Sequence, residues 1–356
     1  MTVRRLIISD LHFGSGDDLL TAPEALERIE PELAWADELV INGDLFELVF
    51  ASVAQAVHAA RPFLALADRH VRRLHYIPGN HDHHLVSLAR DERRLDDLLG
   101  VRTPDAAAAG VPPAARLLRT LCPTTDVVTA YPACELDGML FTHGHYIDAH
   151  ARSSDRRLMD SLAWQLTGAT RPQRLTVADY EALVTPLYEL MYEIANLPLG
   201  QRAQQRFERW LNGAATIAHA PRHASQRLAA LMHLSGHDGV ERLLRAHDAP
   251  TARVLDAMQA VCDDLDVGLR PIVFGHTHVA LGGVCTADGR HRLFNSGCWV
   301  WDRRGRERSD HGWPRRAGHV LRASRGALEL RGLLDDCDEH DLARMLESPA
   351  RGAAAA

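Results

Sequence analysis

Short apolar runs and helical stripes alternate over the first third of the chain. Val3–Ser9 reads as a strand around the apolar run Leu6–Ile8, and it stops at Asp10. Pro23–Leu33 spaces its apolar residues as a helix does, and Glu38–Ile41 reads as a second strand that ends at Gly43-Asp44. Val53–Arg69 carries one apolar helical face, and Leu74–Ile77 is a strand running into Pro78-Gly79-Asn80. Repeated strand–helix units predict a largely parallel sheet in an α/β core. In such sheets the chemistry sits just beyond the carboxyl ends of the strands, where each of these strands ends on a polar residue able to bind a metal.

The pattern then changes twice. Arg102–Pro113 is rich in Ala, Gly and Pro and reads as a loose connection. Val127–Tyr131 and Met139–Thr142 read as a hairpin turning at Asp137-Gly138, and its second strand leads into His143-Gly144-His145. From Tyr146 to Gly268 strand signals vanish and helical spacing takes over, at Asp155–Leu166, Val177–Ile194, Gln201–Leu211, Ser225–Leu234 and Pro250–Asp264. This predicts an all-helical insertion. Arg270–Phe274 resumes the strands and ends at Gly275-His276-Thr277-His278, and Val279–Cys285, His291–Asn295 and Gly318–Arg331 close the core as an antiparallel tail. The predicted division is a core of 1–145 and 269–335, an insertion of 146–268, and a C-terminal tail of 336–356 whose last alanines are disordered.

Composition narrows the chemistry. The chain has 46% hydrophobic and 24% charged residues and a net charge of -7, ordinary for a soluble protein and unlike a general nucleic-acid binder. It contains no lysine, which excludes Schiff-base chemistry and a Walker-type phosphate lysine. A phosphate here must be held by arginine, histidine, backbone N–H or metal. The six cysteines show no C-x-x-C spacing, which argues against structural zinc and for reduced thiols in a cytoplasmic chain. Met1–Asp10 reads as a first strand and not a signal peptide, and no stretch is long enough to span a bilayer.

Five pieces carry the chemistry: Asp10-Leu11-His12, Gly43-Asp44, Gly79-Asn80-His81-Asp82, His143, and Gly275-His276-Thr277-His278. Each alone arises by chance in many proteins. Together they supply carboxylate, imidazole and amide oxygen without thiolate, a shell suited to manganese, iron or zinc. Two such ions about 3.5–4 Å apart need one bridging carboxylate. The adjacent glycines permit tight turns and close approach of backbone to a ligand.

In these blocks the sequence resembles the calcineurin-like metallophosphoesterases, whose pattern runs D-x-H, G-D-x-x-D/E, G-N-H-D/E, H and G-H-x-H. Asp44-Leu45-Phe46-Glu47 fits the second block. The resemblance covers residues 1–145 and about 269–331, and implies a β-sandwich flanked by helices in four αββα layers. It implies one metal on Asp10, His12, Asp44 and His278, and another on Asp44, Asn80, His143 and His276, with manganese the first expectation. It implies that His81 faces the substrate phosphate, that Asp82 orients His81 through its other ring nitrogen, and that a water between the metals attacks. Glu47 reads as a structural or supporting carboxylate, and His145 as the best candidate among the remaining histidines.

Within the class the sequence is most similar to the UDP-2,3-diacylglucosamine pyrophosphatase-like branch, through Asp10-Leu11-His12, Thr142-His143-Gly144 before helices, and Asn295-Ser296-Gly297 with Trp299. It departs from that branch in His81, where arginine is common, and in its longer insertion. The expected substrate is a phosphorylated small molecule or nucleotide-linked lipid, with peripheral membrane contact allowed. The alternative is a phosphodiesterase or nuclease; retention of every ligand with His81 argues against a non-catalytic scaffold. The insertion starts after His143 and ends before His276, and so is expected to cap the site. Arg152, Arg156 and Arg157 are candidate grips for a second phosphate or head group. The Leu183, Leu187, Leu190, Met191 and Ile194 stripe reads first as the insertion's own core, and otherwise as an acyl groove.

Overall fold

A computed structural model describes residues 3–87, 113–150, 160–161, 163–165, 167–195, 251–301 and 317–347. The chain divides into two compact units, Met1–His145 with Asp266–Ala356, and Tyr146–Leu265.

In the first unit the strand–helix alternation forms as its pattern requires. Strand β1 (Arg5–Ile8) is followed by helix α1 (Pro23–Trp35), β2 (Glu38–Asn42), α2 (Val53–His70) and β3 (Arg73–Ile77). Pro23 opens α1, where its missing N–H costs nothing. Ser52 and Gln55 form a reciprocal capping box that starts α2. After α3 (Pro113–Leu121) come β4 (Asp126–Thr129), β5 (Ala133–Leu136) and β6 (Met139–Thr142). The chain returns through β7 (Ile272–Phe274), β8 (Leu281–Cys285), β9 (Arg292–Asn295), β10 (His319–Ser324) and β11 (Ala327–Gly332).

Among the described residues these strands make two sheets, ordered β11-β10-β1-β2-β3-β4 and β5-β6-β7-β9-β8. Strands β1 to β4 are mutually parallel, as are β6, β7 and β9. Ile7, Val40, Ile77 and Leu321 from the first sheet pack on Met139, Phe141, Val273 and Phe294 from the second, forming a buried core. The fold is thus a mixed α/β architecture of two sheets flanked by helices. The Asn42 side chain, fully buried at the end of β2, donates to Thr142 O at 3.0 Å and Val273 O at 3.1 Å. It laces the two sheets together at the edge where their carboxyl ends meet.

At the opposite end, Arg5, Glu38, Arg73 and Asp126 stand in register on four neighbouring strands with alternating charge. Arg5 reaches Glu38 at 2.8 Å and Arg73 reaches Asp126 at 2.7 Å. A one-residue slip would break every pair, so the ladder reinforces the register that the buried faces already require.

Two expectations change. Val127–Tyr131 does not pair with Met139–Thr142: β4 joins the first sheet beside β3, and β5 supplies the hairpin partner of β6. Pro132 between them lacks a backbone donor and separates the two strands. The turn itself holds, with Asp137 and Gly138 both at positive φ. Gly318–Arg331 is two strands folded back at Arg325-Gly326, both at positive φ. The tail after residue 335 contains a helix, α6 (Glu339–Leu346), started by a capping box of Asp338 and Asp341.

The second unit holds helices α4 (Val177–Ala195) and α5 (Thr251–Asp264). Tyr180 stacks on Tyr146 and donates to Asp264 at 2.8 Å, and Tyr188 donates to Asp148 at 3.2 Å. Leu183, Tyr188 and Tyr192 are buried. The helices expected at Gln201–Leu211 and Ser225–Leu234, together with Arg152, Arg156 and Arg157, lie outside the described residues, as does most of the 102–113 connection. No helix among the described residues is long and apolar enough to cross a membrane.

Candidate metal centre

Each sequence block leaves the carboxyl end of a strand: Asp10 after β1, Asp44 after β2, Asn80 after β3, His143 after β6, and His276 after β7. The first three strands are neighbours in one sheet and the last two are neighbours in the other, so the five ends meet along one edge. There Asp10, His12, Asp44, His276 and His278 adopt left-handed backbone, with φ of 54°, 47°, 51°, 64° and 55°. They are five of the eight non-glycine residues at positive φ among the described residues. Each such residue costs roughly 1 kcal/mol or more, and persists because the surroundings over-determine it. Leu11 N and His12 N both donate to Asp44 O at 2.9 Å, and Trp299 N donates to Asp10 O at 3.0 Å. The Asn295–Trp299 stretch braces the same loops: Asn295 Nδ2 donates to Gly275 O at 2.7 Å, and Ser9 Oγ lies 2.8 Å from Ser296 Oγ.

The side chains form two groups that share Asp44. In the first, His278 Nε2 lies 3.2 Å from Asp10 Oδ1 and 3.1 Å from His12 Nε2, and His12 Nε2 lies 3.6 Å from Asp44 Oδ2. In the second, His143 Nε2 lies 3.1 Å from Asp44 Oδ2 and 2.9 Å from Asn80 Oδ1, and His276 Nδ1 lies 2.8 Å from the same amide oxygen. Asp44 Oδ1 accepts from His81 N at 2.8 Å, which leaves Oδ2 between the two groups. Donor atoms about 2.0–2.2 Å from one ion, at tetrahedral or octahedral angles, stand about 2.8–3.6 Å apart. These separations therefore fit shared coordination.

Tautomers strengthen the fit. His143 Nδ1 donates to the Asn42 carbonyl at 3.1 Å, so Nε2 presents a lone pair to two oxygen acceptors. His12 Nδ1 donates to Glu47 at 2.9 Å, so its Nε2 likewise presents a lone pair. In the neutral rings the lone pairs converge in both groups, so a bound cation would replace the protons that otherwise hold the nitrogens against the oxygens. Asp10, His12 and His278, and Asp10, Asp44 and His143, each form a set able to hold an ion. Asn80 Nδ2 is a buried donor without a partner.

The electrostatics follow from burial. Burial alone would raise the Asp44 carboxyl, yet the charges of His143 and His81 hold it well below the usual range. Burial alone would lower His143, yet Asp44 and then Asp10 push it up to about 10.

Three glycines admit this packing. A Cβ on Gly43 would lie 1.9 Å from His143 Nδ1, one on Gly79 would lie 2.3 Å from Asp44 Oδ1, and one on Gly275 would lie 2.6 Å from Asp10 Oδ2.

One assignment is corrected. Asp82 does not orient His81. Its carboxylate accepts from Leu45 N at 2.8 Å, from Gly79 N and from the Tyr76 hydroxyl, tying the second and third loops together. Burial and then the Asp44 charge push it up to about 6. The group that orients His81 is Glu47, whose oxygens lie 2.8 and 2.9 Å from His81 Nδ1 while one of them also holds His12. Burial would raise Glu47, but His81 and His12 hold it down at about 2. The legible signal was the position of Glu47 three residues after Asp44.

Residues 3–280 match the family model for calcineurin-like phosphoesterases, so the chain belongs to that family and is a phosphoester hydrolase. A search of the curated proteins finds no significant match. Among solved structures, a metallophosphoesterase from Sphaerobacter thermophilus is 14% identical, with 97% of this chain and 98% of that chain covered and a TM-score of 0.31. A dimetal phosphatase from Danio rerio is 13% identical, with 92% and 98% covered and a TM-score of 0.30. These scores are too low to bear on function.

Proposed function

We propose that the chain is a two-metal hydrolase of phosphorylated small molecules or nucleotide-linked lipids, in the manner of the UDP-2,3-diacylglucosamine pyrophosphatase-like branch. The observation that carries the two-metal reading is the shared Asp44 Oδ2, with His143 Nε2 at 3.1 Å on one side and His12 Nε2 at 3.6 Å on the other. Asp10, His12, Asp44 and His278 would hold one ion, and Asp44, Asn80, His143 and His276 the other. Manganese is the first expectation, and iron and zinc suit the same donors. Bound there, the ions supply Lewis-acid polarisation of the phosphoryl oxygens and lower the pKa of a coordinated water.

The chain's own residues do the rest. The unpartnered Asn80 Nδ2 offers a hydrogen bond to a phosphoryl oxygen. Glu47 holds the Nδ1–H of His81, and the opposite ring nitrogen, Nε2, would serve the developing charge or the leaving oxygen. Asp82 keeps the loops carrying Asp44 and Asn80 at fixed spacing.

The insertion leaves the core after His143 and rejoins it before His276, which supports a role for it as a cap that governs substrate choice. Arg152, Arg156 and Arg157 are proposed contacts for a second charge on the substrate. The scattered cysteines support a cytoplasmic setting.

The test is turnover with added Mn²⁺ on a panel of phosphomonoesters, phosphodiesters and nucleotide-diphospho compounds. Preference for the last supports the reading. Preference for oligonucleotides or cyclic nucleotides would replace it with the phosphodiesterase alternative.

A further inference from the structure

A second group of rings stands beside the metal centre. His83 follows the Asn80-His81 motif after β3, Tyr131 follows β4, and His145 lies two residues beyond His143. The Tyr131 hydroxyl lies 3.1 Å from His145 Nε2, and the two rings stack at 6.0 Å and 20°. His83 meets both edge-on, 5.7 Å from Tyr131 and 6.3 Å from His145. The His145 ring is 5.7 Å from the ring of His143. His83 and His145 are as buried as the metal-binding residues themselves. Asn42 sets the tautomer of His143, and Glu47 those of His12 and His81.

We propose that His83, Tyr131 and His145 form a subsite for a second phosphoryl group of the substrate, adjacent to the one that reacts. The proposal rests on phosphoester hydrolysis at the metal centre. An anion taken out of water needs donors from the protein. Lysine is absent from the chain, so those donors come from other groups. Imidazole N–H and phenol O–H are suitable, and a hydrogen bond to a charged acceptor is about twice as strong as a neutral one. The position decides which part of the substrate they reach. One ring beyond His143, they lie beside a phosphorus held at the second group of ligands, and not at a distant tail. The subsite binds only; the P–O bond that breaks is the one at the metal centre.

The test compares the full chain with Tyr131→Phe, which removes only a hydroxyl, and His145→Gln, at saturating Mn²⁺. The substrates are p-nitrophenyl phosphate, inorganic pyrophosphate and UDP-glucose. Each variant is expected to lower kcat/KM on both two-phosphoryl substrates about tenfold more than on p-nitrophenyl phosphate, chiefly through KM, with unchanged metal content. An equal loss on all three substrates, or no loss on any, overturns the subsite while leaving the hydrolase reading intact. A loss confined to UDP-glucose identifies a contact to the nucleotide and also overturns it. A metal-loaded wild-type chain inactive on every substrate overturns the hydrolase reading, and the subsite with it.

Discussion

Glu47 is the residue on which two proposed functions meet, because one carboxylate holds both His12, a proposed metal ligand, and His81, the imidazole proposed to act on the phosphate. Glu47→Gln keeps the shape and removes the charge. It is expected to lower kcat about 10–100-fold at saturating metal, the range for groups that orient a ligand. Asp82→Asn, by contrast, should lower thermal stability more than kcat. Equal kcat for wild type and Glu47→Gln at full metal content would remove Glu47 from the mechanism. The pH dependence has a definite sign. The carboxyl titrates at about 2 in the fold against an ordinary value of 4.5, so its stabilisation is present above about 4.5 and is lost as pH falls toward 2. Thermal melts of the chelator-treated chain should fall more steeply for wild type than for Glu47→Gln across that window; parallel curves would count against the pairing. At Gly79 the argument is space. Gly79→Ala would drive a methyl into Asp44 and His143, and is expected to abolish metal uptake, measured by elemental analysis, although no donor atom is lost.

At the scale of elements, the centre exists because parallel strands from two sheets end along one edge, and the charge ladder at the other end helps set their register. Glu38 lies between Arg5 and Arg73, and His75 Nε2 reaches it at 3.2 Å. Glu38→Ala leaves buried Arg5 with Asp137 as its remaining partner. Breaking a buried pair from one side costs roughly 3 kcal/mol. A urea denaturation midpoint lowered to match is expected, with activity of the folded fraction unchanged. A midpoint equal to that of wild type would mean that burial alone holds the register. Strand identity was readable here from apolar runs, but strand partnership was not. Val127 and Met139 both begin runs of strand character, and nothing in their composition tells that they join different sheets. That choice depends on which edge is open once β3 and β7 are in place.

The two compact units raise the question of how far the core acts alone. Replacing residues 146–265 by a short linker removes no proposed metal-binding residue. The shortened chain is expected to take up metal and turn over p-nitrophenyl phosphate while losing its preference among larger substrates. Loss of metal uptake would show that the insertion shapes the centre itself. What the sequence by itself determined is the set of candidate donors, the strand ends that carry them and the family pattern, because metal chemistry demands particular atoms and parallel sheets place them after strands. Only the tertiary structure decided how those donors are supported. Glu47 and Asp82 are both carboxylates close to the motif loops, and the family resemblance implied Asp82 as the partner of His81. The fold turned Asp82 inward to Leu45, Tyr76 and Gly79, and brought Glu47 across to His81, 34 residues away. Hydrogen-bond partners of buried groups are fixed by which loops cross in space, and that information is spread over the whole chain.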